Sequence, residues 1–137
     1  MSRAKGPLAG FQLQLDPHTG VPVYRQLIDQ VLTAMASGTL SSGDQLPTVR
    51  QVAVDLAINP NTVMRAYREL EIRGILSTQQ GTGTFITDQK VKAGEAQRRR
   101  RLSQMMGELI ARAGAEGFTV EELFEVLRDL QEENKRR

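Results

Sequence analysis

From Phe11 onward the spacing of apolar positions changes along the chain, and each spacing predicts a different element. Phe11, Leu13 and Leu15 alternate with Gln12 and Gln14, a period of two that predicts a short half-buried strand. Asp16-Pro17-His18-Thr19-Gly20 has the chemistry of a turn. Val23, Leu27, Val31 and Met35 then recur every fourth residue with Ile28 and Leu32 beside them, so one amphipathic helix starts at Pro22 and closes near Gly38. Ser42-Gly43-Asp44 turns the chain, and Thr48 with Gln51 has the spacing of a capping box. The short helix it opens points Val49, Val52, Ala53 and Leu56 inward and must stop before Pro60. Asn59 caps a third helix with Pro60 at its first position. That helix runs to about Arg73, buries Val63, Ala66, Tyr67 and Leu70, and leaves Asn61, Thr62, Met64, Arg65 and Arg68 outside, with Gly74 ending it.

Two β-prone stretches follow, Ile75 to Gln79 and Thr84 to Thr87, joined by Gln80-Gly81-Thr82-Gly83 as a hairpin with a glycine-rich tip. From about Asp88 the pattern becomes a long helix with the stripe Leu102, Met105, Met106, Leu109, Ile110 and Ala113, broken at Gly114 to Gly117. Thr119 and Glu122 form a second capping box, with Phe118 and Leu123 placed as a hydrophobic staple and Val120, Leu123, Phe124, Leu127 and Leu130 as the next stripe. Two helices joined by a short turn make an αα-hairpin. The first ten residues carry no periodicity and read as a mobile arm. The expected fold is mainly α with a small β-hairpin: a winged helix-turn-helix over residues 11–87, then a two-helix dimerisation hairpin over 88–137. No internal repeat is present.

Composition narrows the chemistry. At 137 residues the chain has room for one domain and a small second unit. Zero cysteines remove disulfides, thiolate ligands and cysteine nucleophiles, and the single His18 leaves little basis for a zinc site or a histidine triad. No catalytic residue, metal site or cofactor is expected. The net charge is 18 minus 16, or +2, so a nucleic-acid reading rests on where the cations sit. No stretch approaches 18 apolar residues and no secretory apolar run follows Met1, which points to the cytoplasm and away from membranes.

A short helix, a three-residue turn and a second helix form the module that lays its second helix in the major groove, about 12 Å wide. The outer face of the third helix offers Asn61, Thr62, Arg65 and Arg68. Asn pairs bidentately with adenine, Thr bonds a base or touches a thymine methyl, and Arg forks onto guanine. Asn59 and Thr62 also lie at a helix N-terminus, where free N–H groups attract a phosphate. Thr48 and Arg50 open the helix that crosses the DNA backbone, with a phosphate contact the natural role of Arg50 and an ion pair with Asp44 or Asp55 the competing one. In the wing, Gly81 and Gly83 permit a tight turn, while Gln79, Gln80, Thr82 and Thr84 supply neutral hydrogen bonds toward a groove. A solvated polar face and a plain surface hairpin are the competing readings.

Four ordered motifs then carry a resemblance: Leu40-Ser41-Ser42-Gly43-Asp44-Gln45-Leu46-Pro47-Thr48-Val49-Arg50, Asn59-Pro60-Asn61-Thr62-Val63, Tyr67-Arg68-Glu69-Leu70-Glu71 and Gly81-Thr82-Gly83-Thr84-Phe85. Together, over about residues 11–87, they resemble the N-terminal domain of GntR-family bacterial transcription factors, and the Asn-Pro-Asn-Thr variant with a short two-helix tail is similar to the YtrA subfamily. The resemblance implies the winged fold, a two-fold dimer, repression, and DNA contacts at Arg50, Asn59, Asn61, Thr62, Gln80 and Gly81. Two departures matter. Pro60 and Met64 stand where many family members carry Arg, so the usual base contacts do not transfer, and Ala57 stands at a turn position often held by Gly.

The tail stripes exceed what a two-helix hairpin covers, which predicts a closed two-fold interface through Leu102, Met105, Met106, Leu109, Ile110, Leu123, Phe124, Leu127 and Leu130. Packing onto the winged domain of the same chain is the alternative. Two heads then read a palindromic operator in double-stranded DNA. Arg98 to Arg101 point almost all round their helix and read as a solvated face partly paired with acids such as Glu95, an auxiliary DNA contact being the alternative. Met105 and Met106 read as core filler. Lys135-Arg136-Arg137 suits a helix C-terminus. The rival functions are a regulator gated by a small-molecule effector at the tail or dimer seam, and a protein-interaction module. An enzyme is the weakest, because Gly81-Thr82-Gly83 lacks the third glycine and following helix of a dinucleotide site.

Overall fold

The structure is a computed structural model that describes residues 11–88 and 94–135. The expected arm at 1–10 and the basic end at Arg136 and Arg137 lie outside the described residues. In chain order the elements are α1 (Val23–Ala36), α2 (Val49–Leu56), α3 (Pro60–Ile72), β1 (Leu76–Gln79), β2 (Gly83–Ile86), α4 (Glu95–Ala115) and α5 (Val120–Lys135). Two compact units divide the chain, Met1–Gln89 and Lys90–Arg137.

In the first unit the core is built from the faces that the periodicities mark. Leu27, Ile28 and Val31 of α1, Val52 and Ala53 of α2, and Val63, Ala66, Tyr67 and Leu70 of α3 are all buried. Leu40 and Leu46 join them, with the turn between closed by Asp44, whose carboxylate accepts the Ser41 N–H at 2.7 Å. The half-turns ending α3 and α4 share one geometry. After α3, Gly74 takes a φ of +79° and donates to Glu71 O, while Ile75 donates to Leu70 O at 2.8 Å; after α4, Gly117 and Phe118 repeat the pattern onto Gly114 and Ala113. This is the Schellman arrangement, which satisfies orphan carbonyls at the cost of one left-handed residue.

Three expectations are corrected. Phe11 and Leu13 are buried and Gln12 and Gln14 exposed, as the alternation requires, but the segment is no strand. Its backbone groups go elsewhere: the Gln14 N–H donates to the Gln30 side chain at 2.9 Å and the Gln14 carbonyl accepts from the same amide at 2.5 Å. Gln26 does the same for Asp16, accepting its N–H and donating to its carbonyl. An amide on α1 replaces the neighbouring strand. Conversely, Gly43 and Asp44, expected with Ser42 only to turn the chain, pair along β2 together with Gln45 and Leu46 after them. Gly43 donates to Ile86 O, Ile86 to Asp44 O and Leu46 to Thr84 O, all at 2.8–2.9 Å. Finally, the long helix begins at Glu95 behind Gly94 rather than near Asp88, and residues 89–93 lie outside the described residues.

The hairpin pairs antiparallel in the register Leu76 with Ile86, Ser77 with Phe85, Thr78 with Thr84 and Gln79 with Gly83. Leu76 and Ile86 plug its base into the core. Gly83 has a φ of +139°, and a Cβ there would lie 2.4 Å from Nε2 of Gln45, the atom that donates to Thr82 O.

In the second unit Thr119 and Glu122 cap α5 reciprocally, Thr119 N–H to the Glu122 carboxylate at 2.8 Å and Glu122 N–H to Thr119 Oγ1 at 3.2 Å. Of the stripe residues Ala113 is buried and Leu123 half-buried, whereas Leu102, Met105, Met106, Leu109, Ile110, Phe124, Leu127 and Leu130 are exposed. Met105 and Met106, expected as core filler, are exposed among the described residues of this unit. Phe118, placed as one half of a staple, is also exposed.

Candidate nucleic-acid interface

The helix-turn-helix is assembled by local chemistry. Thr48 accepts the Gln51 N–H at 3.0 Å while Gln51 Oε1 accepts the Thr48 N–H at 2.9 Å, so the capping box forms and starts α2. α2 stops at Ala57, which adopts a left-handed φ of 56° and ψ of 48°. Ala57 donates to Val54 O and Ile58 to Ala53 O, the same closure that Gly serves elsewhere in the chain. Three residues later α3 begins, with Asn59 as cap and Pro60 in the first turn.

That start overturns one expectation. Pro60 has no N–H, the Asn61 N–H donates to Asn59 Oδ1 at 2.8 Å, and the Thr62 N–H donates to Asn59 O at 3.0 Å. The first backbone donors of α3 are spent on Asn59, so the helix end offers no free pair of N–H groups to a phosphate. What remains for a ligand there is the Asn59 amide NH₂ and the side chains.

Opposite the buried face, Asn61, Arg65 and Arg68 are exposed, with Thr62 half-buried at the flank. Asn61, Met64, Arg65, Arg68, Glu69 and Ile72 line one groove along this surface. The helix acids do not quench the cations. Glu69 pairs with Arg73 at 3.0 Å and Glu71 accepts the Thr78 hydroxyl of the wing. Among the described residues neither Arg50, Arg65 nor Arg68 forms an ion pair, so the pairing of Arg50 with Asp44 or Asp55 is absent. Arg65 instead lies over the ring of Tyr24 on α1, its Cζ 3.7 Å from the ring centroid. Tyr24 carried no weight in the sequence reading. It stands beside the apolar stripe of α1, and nothing in linear spacing links it to α3.

The reading face is held from behind. The Tyr67 hydroxyl donates to Pro47 O at 2.5 Å, tying α3 to the loop that leads into α2, and burial pushes its phenol pKa upward. On the wing, Gln80, Gly81 and Thr82 are exposed at the tip, where Gly81 takes a φ of +79° and Thr82 donates to Gln79 O. Arg98 to Arg101 are all exposed on α4, and among the described residues none pairs with Glu95 or any other acid. No group of three or more His, Asp or Glu residues able to hold a metal occurs among the described residues.

A recognition helix with an open polar face, braced by two helices and flanked by a hairpin, defines a DNA-binding winged helix-turn-helix of the bacterial regulator class. Residues 23–86 match the family model for bacterial regulatory proteins of the gntR family. The HTH-type transcriptional repressor YtrA of Bacillus subtilis is 33% identical over 123 residues, which is 90% of this chain and 95% of that protein. The uncharacterized regulator YhcF of the same organism is 32% identical over 111 residues, covering 81% and 91%. Among solved structures, a transcriptional regulator from Oenococcus oeni has a TM-score of 0.56 at 36% identity over 88% of this chain and 98% of that one. YtrA from Sulfolobus acidocaldarius, a GntR-family transcription factor, has a TM-score of 0.52 at 26% identity, covering 69% and 97%. The chain belongs to the GntR family, and its likeness to B. subtilis YtrA, over 90% of the chain, extends into the helical tail.

Proposed function

We propose that this GntR-family regulator is a repressor that binds a palindromic operator in the cytoplasm as a homodimer. Residues 11–87 are the reading head and residues 88–137 the dimerisation region. The observation that carries the reading is the exposed face of α3, where Asn61, Arg65 and Arg68 have no acidic partner among the described residues. In the major groove, Asn61, Thr62, Arg65 and Arg68 discriminate bases. Thr48, Arg50 and Asn59 hold the backbone, and the wing tip at Gln80, Gly81 and Thr82 touches adjacent DNA. The dimer is supported by the tail: Leu102 is 55% exposed and Phe124 61%, an uncovered apolar surface that a second copy buries. Repression is supported by the B. subtilis relative named as a repressor, and acts by occupying a promoter.

The test is selection of bound duplexes from a random pool by the purified full-length protein. The expected product is an inverted repeat with half-sites separated by about one helical turn or a multiple of it. Enrichment of nothing, or of a single unrepeated half-site, overturns the reading.

A further inference from the structure

We propose that Tyr24 is a positioning residue for sequence discrimination: its ring on α1 holds the Arg65 guanidinium at the edge of the α3 reading face. The inference rests on the operator reading above and assigns it a residue outside the helix-turn-helix.

A free arginine has several rotatable bonds, and fixing it against a base costs conformational freedom at the moment of binding. Arg65 is already placed. Its Cζ sits 3.7 Å from the Tyr24 centroid, well within the range of a cation–π contact. A cation–π contact uses the charge over the ring and consumes none of the guanidinium N–H groups as donors to an acceptor, so the groups a fork onto guanine needs stay available. No carboxylate among the described residues competes for those donors. The platform is firm as well. Tyr24 is half-buried and packs against the core that α1 shares with α3, so the ring moves with the helix it serves. Arg68, on the same face, has no such support among the described residues, and the two arginines are therefore unequal: one set before contact, one ordered by it.

The test uses the full-length protein, the duplex enriched from the random pool, and the same duplex scrambled. Four variants are compared: Tyr24→Phe, Tyr24→Leu, Arg65→Ala and the double variant Y24L/R65A. Phe keeps the ring face and is expected to bind both duplexes like the wild type. Leu is expected to weaken the enriched duplex about two- to tenfold and leave the scrambled one unchanged. In the Arg65→Ala background it should add nothing. Equal loss on both duplexes, or the same loss with Arg65 absent, overturns the proposal, since a merely structural Tyr24 gives those results. Urea denaturation accompanies each variant, and Tyr24→Met replaces Leu if Leu unfolds the head. A pool that enriches no sequence fails the operator reading itself; an enriched duplex on which Tyr24→Leu equals wild type fails only the role of Tyr24.

Discussion

Replacing Ala57 by glycine should make the protein more stable without altering what it binds. Ala57 is the single non-glycine residue with positive φ among the described residues, at φ 56° and ψ 48°. An L-residue with a Cβ is disfavoured there by about 1–2 kcal/mol relative to the right-handed region. Glycine removes that strain, and because Ala57 is exposed no packing goes with its methyl group. Against this, glycine enlarges the freedom of the unfolded chain, a cost of about 0.4–1 kcal/mol. The difference leaves a net stabilisation of about 0.5–1 kcal/mol, or about 2–8 °C in the melting temperature of a domain this size. The assay is urea denaturation followed by far-ultraviolet circular dichroism, with thermal melts alongside. Ala57→Val supplies the opposite sign, since a β-branched side chain fits the left-handed region worse than Ala. If A57G is no more stable than wild type, or A57V no less, the turn between α2 and α3 is not closed by a left-handed residue in solution. The hydrogen bonds from Ala57 and Ile58 back to Val54 and Ala53 would then be absent in solution too.

Other outcomes follow from the same geometry. Arg65→Ala should weaken the cognate duplex by about 1–3 kcal/mol and random DNA much less, whereas Arg50→Ala should weaken both and lower the salt slope by about one; titrations at several salt concentrations separate the two. Tyr67→Phe should cost about 1 kcal/mol in urea denaturation at neutral pH, because Pro47 O loses its donor. Since burial raises the Tyr67 pKa above its ordinary 10.0, folding favours the neutral phenol, and that stabilisation is complete below pH 10 and lost as pH rises beyond it. Melts taken across this range should therefore show wild type losing ground to Y67F in alkali. Leu109→Glu and Phe124→Glu should each yield monomers by sedimentation equilibrium and lose operator binding far more than half-site binding.

The helices of the head were legible because their signals are local. Thr48 and Gln51 are three residues apart and form both bonds of the capping box; Asn59, Pro60 and Gly74 mark α3 within a residue at each end. Most of what escaped has its partner far along the chain. The alternation at Phe11 to Leu15 was a correct guide to burial and a false one to pairing, because Gln30 and Gln26 take up the backbone groups that a strand would otherwise satisfy. Gly43 to Leu46 is too short and polar to announce itself as an edge, and becomes one only because β2 is there. Arg65 was singled out by its place on the outer face, but its ring partner sits on another helix. At the start of α3 the residue types suggested an open anion site, and the same Asn59 that suggested it consumes the donors.

The ties from Gly43, Asp44 and Leu46 to β2 mean that two stretches of similar appearance tolerate change very differently. Extra residues spliced between Gln79 and Gly83 would lengthen the fingertip beyond the last rung of the hairpin ladder, disturbing there the bond from Gln45 to Thr82 O and no ladder pair. One residue added between Gly43 and Leu46 would slip that segment against its neighbour and drag the entrance of α2 with it, so an insertion at the fingertip puts the proposed DNA contact at stake and one at the knuckle puts the fold itself at stake.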